Sequence, residues 1–253
     1  MIHLPALPGA PEASRMDEVL ASALRDARVL AEVGFDGVLV ENFGDRPFLP
    51  GSVEPITVAA MARVVSAVRE AVPEAVQVGV NVLRNDARSA LAIAASAGAT
   101  FIRVNVHSGV RATDQGIVEG SAWDTLRLRE LWAAQGVALW ADVDVKHSSS
   151  LGEARSLTER TEELVHRAMA DAVIVTGDAT GSDVALADVA AVLEGAGSAA
   201  PVIVGSGVTA ETVAPLLKQV SAVIVGTSIK AGGITQNPVD PEAAARLVSA
   251  AGA

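Results

Sequence analysis

Short apolar runs rich in valine and isoleucine recur along the chain, and between them lie longer stretches whose apolar residues return at helical spacing. Alternation of this kind predicts parallel strands joined by crossover helices rather than hairpins. Eight such units are marked by strands near 2–6, 36–41, 77–83, 100–107, 137–146, 171–176, 201–205 and 222–226. Helices are expected near 14–33, 55–72, 86–97, 120–135, 156–169, 183–195, 209–219 and 240–251. The later runs DAVIVTG, PVIVGSG and SAVIVGTS are apolar on both pleat faces before they reach a glycine or a hydroxyl, as strands covered inside and outside must be. An α/β fold, a closed (β/α)₈ TIM barrel, is therefore expected. An open doubly wound sheet would place a glycine-rich turn after its first strand, whereas the chain reads LPALPGAP there.

Composition narrows the class. With 253 residues, half of them hydrophobic, residues 1–253 fit one barrel domain with one core. The absence of cysteine removes disulfide and thiolate chemistry. No stretch of about 18 apolar residues occurs, and the amino-terminal segment does not read as a signal peptide, so a cytoplasmic protein without membrane insertion is expected. The net charge is −11, 16 of the 19 basic residues are arginine, and aromatics make up 3%, which argues against a nucleic-acid groove. A homo-oligomer is expected, although no segment marks its interface.

In a barrel, polar residues at strand ends and in the loops that follow are the candidates for chemistry. His3, Glu41-Asn42, Asn81, Arg84-Asn85, Arg103, Asn105 and His107 all fall there. Two loops, 42–54 and 108–119, have the length and the Gly, Pro and charge content of binding loops or lids. In LWADVDVKHSS, the residues Asp142, Asp144 and Lys146 alternate with apolar neighbours. On one pleat face of this strand these three form a charged column, best placed at the barrel mouth because burying them without partners is costly. With Glu41, Asn105 and His107 they offer a general acid, a general base and an electrostatic clamp, assisted by His147. A divalent metal and a Lys146 Schiff base are alternative uses of the same set, as is an internal salt-bridge ladder. No compact ligand spacing such as HExxH is present, so no metal ligands and no firm cofactor are assigned.

A second constellation joins Gly205-Ser206-Gly207 after the seventh strand to Gly226-Thr227-Ser228 and Lys230 after the eighth. Glycines let backbone amides approach an anion, and the hydroxyls and lysine add donors, so a phosphate site like that of ribulose-phosphate-binding barrels is expected at this corner. Thr176, after the sixth strand, extends it. Asn81, Arg84 and His147 complete the expected ligand-binding set.

The strings IHLPALPGAP, DGVLVENFGDRPF, VGVNVLRNDARSALAIA, FIRVNVHSGV, TDQGIVEG, ALWADVDVKHSS, VIVGSGVTAETV and VIVGTSIKAGG together resemble the BtpA/SgcQ family of TIM barrels. The resemblance spans nearly the whole chain and carries over His3, Glu41, Asn42, Asp45, Asn81, Arg84, Asn85, Asp86, Asn105, His107, Asp114, Asp142, Asp144, Lys146, His147, Ser206, Thr227, Ser228 and Lys230 as motif positions without individual roles. It implies either a link to photosystem I accumulation, from which the family name comes, or sugar-phosphate metabolism, where bacterial relatives sit. The family pattern has a few apolar residues before IHLP, so either the chain begins upstream of Met1 or the first strand is short and His3 loosely held. The expected function is an enzyme acting on a small phosphorylated metabolite by isomerase, lyase or glycosidic-bond chemistry. The alternative is a non-catalytic assembly factor for a membrane complex.

Overall fold

The computed structural model describes residues 1–145, 148–151, 155–177 and 185–252. Apolar, β-branched runs form the strands β1 (Ile2–His3), β2 (Gly37–Glu41), β3 (Gln77–Asn81) and β4 (Phe101–Val104). Three shorter or displaced strands follow as β5 (Val110–Thr113), β6 (Gly116–Glu119) and β8 (Ser148–Ser150), with β7 (Ala138–Asp142) lying before the last of them. The chain then adds β9 (Ala172–Val175), β10 (Val202–Val204) and β11 (Ala222–Val223). The helices are α1 (Met16–Glu32), α2 (Pro55–Ala71), α3 (Ala87–Ala97), α4 (Ala122–Leu131), α5 (Leu157–Glu162), α6 (Leu186–Ala196), α7 (Val213–Leu217) and α8 (Pro241–Ala251).

Eight strands form one sheet in the order β1-β2-β3-β4-β7-β9-β10-β11, and every pairing within it is parallel. A hydrogen bond of 2.8 Å from the Met1 nitrogen to the Val225 carbonyl joins the first strand to the segment following the last. The architecture is a (β/α)₈ barrel, because each parallel strand must return through a crossover and the helices cover the outside of the sheet.

Strand parity separates two apolar regions. Leu39, Phe101, Ala172, Ile174, Ile203 and Ile224 pack together inside the ring, while the larger cluster, including Val38, Val40, Val78, Val80, Val173 and Val204, packs with the helices. The Phe101 and Trp140 rings stack at 3.9 Å within the ring. Gly79 makes this possible, since a Cβ there would lie 2.1 Å from the Phe101 ring. Large apolar residues thus fill the lower barrel, and polar residues of the same inward parity are left at the carboxyl ends.

Two stretches depart from the sequence expectation. The 108–119 loop contains the antiparallel hairpin β5–β6, which pairs with β8 to form a small second sheet beside the barrel mouth. Gly116 at φ 101° turns the hairpin, a left-handed conformation natural to glycine. The strand expected over 137–146 ends at Asp142, where the backbone bends. The first strand is short, yet His3 is held firmly: its side chain is 7% exposed and its ring packs 4.9 Å from Phe43.

Candidate active site

Side chains that anchor the loops also shape the barrel mouth. The Asn42 amide accepts from Leu83 N at 2.7 Å and donates to Leu83 O at 3.3 Å, copying a peptide pairing between adjacent strand ends. Asn85 does the same with Val106, accepting at 2.7 Å and donating at 2.8 Å. Asp45 accepts from Leu7 N and from Asn42; burial nevertheless raises its pKa, the two hydrogen bonds opposing. Asp86 caps α3 through Ser89 N and also accepts from Val53 N. The polar strings ENFGD and NVLRND therefore stitch successive βα loops together, a structural use of residues that buried backbone groups require.

Above this stitching lies a cavity of about 420 Å³. Its polar lining includes His3, Glu41, Arg84, Arg103, Asn105 and Asp142, and the glycine corner of Gly205, Ser206, Gly207, Gly226, Thr227 and Ser228 borders the same cavity. Arg103 and Asp142 are both buried and form a two-pronged pair at 2.9 and 3.0 Å. Asn105 donates to the same carboxylate at 2.8 Å. Burial works against the Arg103 charge, but the carboxylate more than offsets it, and its pKa lies above the ordinary value. Asp142 thus accepts three hydrogen bonds, which suits it to orienting Arg103 and Asn105. A second polar pair is looser, with His3 Nε2 at 3.8 Å from Glu41 Oε1.

The glycine-rich corner has the close approaches its composition implies. A Cβ at Gly205 would meet Ile174 Cγ2 at 2.6 Å, and Gly207 adopts φ 68°, so neither position accepts a larger residue readily. Ser206 Oγ accepts from Gly177 N at 2.7 Å. Ser228 Oγ donates to Val208 O at 2.6 Å, and Thr227 bonds to the Thr235 hydroxyl at 2.9 Å. The hydroxyls brace the two turns, and the turns' backbones border the cavity.

Several expected site residues lie elsewhere. Asp144 leaves the charged column because β7 ends at Asp142, and it pairs with Arg111 and with Arg160 instead. Thr176 donates to the Asp144 carbonyl at 3.0 Å and borders a separate hollow with it. Asn81 is buried and donates to Arg103 O at 3.1 Å without bordering the cavity. His107 shares the alternation of Arg103 and Asn105, but the strand ends at Val104 and the side chain turns away from the cavity: its Nε2 meets the Ala168 carbonyl at 2.9 Å, and burial lowers its pKa, so it pins the barrel to the end of the fifth crossover segment. Lys230 is buried and pairs at 2.8 Å with Asp26 of α1; burial is the largest influence on it and depresses its pKa. Lys146 and His147 lie outside the described residues. Among the described residues no cluster of three or more His, Asp or Glu side chains is arranged to hold a metal ion, so the divalent-metal alternative gains no ligand set there.

Sequence reasoning named Arg103 as a strand-end candidate without a specific role and did not single out Arg46; both line the cavity. The parity of FIRVN would have placed Arg103 on the same face as Asn105. Arg46 sits in an irregular loop, where no periodicity betrays direction.

The BtpA family model matches residues 1–253. The chain belongs to the BtpA family. The photosystem I biogenesis protein BtpA of Synechocystis sp. is 42% identical over 95% of this BtpA-family chain and 83% of its own length. An uncharacterized protein of Thermococcus kodakarensis is 44% identical over 99% of the chain and 93% of its own length. Among solved structures, phosphoribosyl anthranilate isomerase of Thermus thermophilus is similar with a TM-score of 0.56 and 15% identity, covering 90% of this chain and 92% of that one. A thiamine phosphate pyrophosphorylase of Pyrococcus furiosus gives a TM-score of 0.59 at 13% identity, covering 90% and 89%. At these identities the likeness establishes the barrel fold. No helix among the described residues is long and apolar enough to cross a membrane.

Proposed function

We propose that this BtpA-family barrel is a cytoplasmic, single-domain enzyme acting on a small phosphorylated metabolite, a sugar phosphate or a nucleotide-derived phosphate, and that it works as a homo-oligomer. One observation carries the reading: the glycine corner at 205–207 and 226–228 and the buried ionic group around Arg103 and Asp142 line one cavity. Backbone amides of the corner receive the phosphate, as glycine turns permit. In the same cavity Asp142 fixes Arg103 through Nε and one terminal nitrogen, which leaves the other terminal nitrogen to meet charge developing on the substrate. Glu41, with His3 beside it, holds or moves the proton. Lys146 and His147 stay assigned to this site by sequence pattern alone. Isomerisation, aldol-type cleavage and glycosidic-bond chemistry all share this need for one proton-transfer group and one anion clamp. The names of the two structural neighbours, each containing a phosphorylated compound, agree with this reading.

Purified protein incubated with pools of isotope-labelled phosphorylated metabolites is expected to convert at least one of them, and calorimetry is expected to detect phosphate-ester binding. No turnover together with no binding overturns the proposal. The relative named for photosystem I biogenesis favours a second reading, a non-catalytic assembly factor. Complementation with Glu41→Gln separates the two, because an assembly factor keeps its function in that variant whereas the enzyme loses it while still folded.

A further inference from the structure

We propose that the ligand carries a second anionic group, a carboxylate or a second phosphate, at its end remote from the glycine corner, and that Arg84 and Arg46 receive it. The inference rests on the reading of that corner as a phosphate site.

Position is the first argument. In the ring of eight strands β3 is third and β10 is seventh, so the loop holding Arg84 stands across the barrel mouth from the turn at Gly205–Gly207. Arg46 lies in the loop after β2, next in the ring to β3. Both arginines line the same cavity as the glycine corner. The two loops are tied to each other by the Asn42–Leu83 pairing and by a 3.2 Å hydrogen bond from Arg84 N to Leu49 O. The arginines are therefore presented by one joined piece of backbone.

Charge is the second argument. The Arg46 guanidinium sits 5.5 Å above the Phe43 ring centroid, which favours one placement at the rim. Among the described residues no ion pair within 4.0 Å joins it to a carboxylate. Arg84 is half-buried, and Asp142, Asp114 and Glu41 all favour its charge, yet burial outweighs them and lowers its pKa. Guanidinium groups recognise carboxylates and phosphates through planar, two-pronged donation, so two of them on the cavity rim suit an anionic end of the ligand better than a neutral polyol end.

The test is calorimetry at fixed ionic strength with three open-chain probes: sorbitol 6-phosphate, 6-phosphogluconate and sorbitol 1,6-bisphosphate. At least one of the two doubly anionic probes is expected to bind about 10-fold tighter than the monophosphate, as a charge-assisted two-pronged contact would give. Whichever of the two binds tighter identifies the second group. Arg84→Gln is expected to shrink the advantage to about 2-fold while changing sorbitol 6-phosphate affinity less than about 2-fold. Should Arg84→Gln fail to fold, the exposed Arg46→Gln serves instead and is expected to reduce the advantage about 3-fold. Equal affinity for all three probes, or a substitution that weakens all three alike, overturns this inference and leaves the phosphate corner standing. If neither the probes nor inorganic phosphate bind, the phosphate reading falls and this inference falls with it.

Discussion

Replacing Lys230 by methionine separates a structural lysine from a phosphate-binding one. Its ammonium and the Asp26 carboxylate are 1% and 3% exposed at the side chain and 2.8 Å apart. Methionine fills similar space, so the change removes a charge rather than packing. Breaking a buried ion pair from one side typically costs about 3–5 kcal/mol, because the surviving charge is stranded. Here Asp26 keeps two other partners: Val239 N at 3.2 Å and Arg25, whose side chain is half-exposed, at 3.1 Å. They relieve part of the stranded charge, so the lower end applies and a loss of about 3 kcal/mol is expected. For a chain of this size that corresponds to a drop in Tm of about 6–12 °C. Urea unfolding should show a lower midpoint at unchanged slope. The double variant Asp26→Leu/Lys230→Met should recover part of that loss, since neither buried charge is left, and stay about 1–2 kcal/mol below the parent because Val239 N loses its acceptor. Phosphate-ester affinity, measured well below the unfolding temperature, should be the same in all three proteins. A single-variant cost under about 1 kcal/mol would refute the strut. A stable double variant that has lost phosphate-ester binding would show that Lys230 reaches the ligand after all.

Three further outcomes are expected. Asp142→Asn keeps shape but removes the countercharge of buried Arg103, so turnover should fall about 100-fold or more and stability by about 3 kcal/mol, read by single-turnover kinetics and urea unfolding; a variant of parental activity would exclude the proposed clamp. Gly207→Val places a β-branched residue at φ 68°, which should cost about 1–2 kcal/mol and weaken phosphate-ester binding; unchanged calorimetric affinity would detach that turn from the ligand. His107 titrates below its ordinary 6.5 because of burial, so at low pH the unfolded chain takes up a proton that the folded chain refuses. This residue therefore adds a loss of stability as pH drops below about 6.5, on top of the same-signed loss below about pH 8 from the Met1 amine, whose pKa burial lowers to about 5, and His107→Gln should reduce but not abolish the slope in urea titrations at pH 5.5 and 7.5; an unaltered slope would assign the effect to other groups.

How much of this was legible in the sequence follows from which interactions are local. Strand and helix positions follow from periodicity, because a buried strand or an amphipathic helix must repeat its apolar residues at its own pitch. Eight units of that kind leave little choice but a barrel, and strand-end placement then points to Glu41, Asn105, Asp142 and the glycine turns. The alternation in DVDVK could not reveal that β7 stops at Asp142, since the bend that turns Asp144 toward Arg111 and Arg160 depends on the hairpin lying beside it. Nor could it distinguish His107 and Lys230 from ligand-binding residues. Their partners, the Ala168 carbonyl and the Asp26 carboxylate, lie 61 and 204 residues away along the chain. Charge and hydrogen-bonding capacity are properties of a residue and can be read one letter at a time. Whether that capacity faces a cavity or is consumed by a neighbour is decided only when distant segments come within about 3 Å of each other.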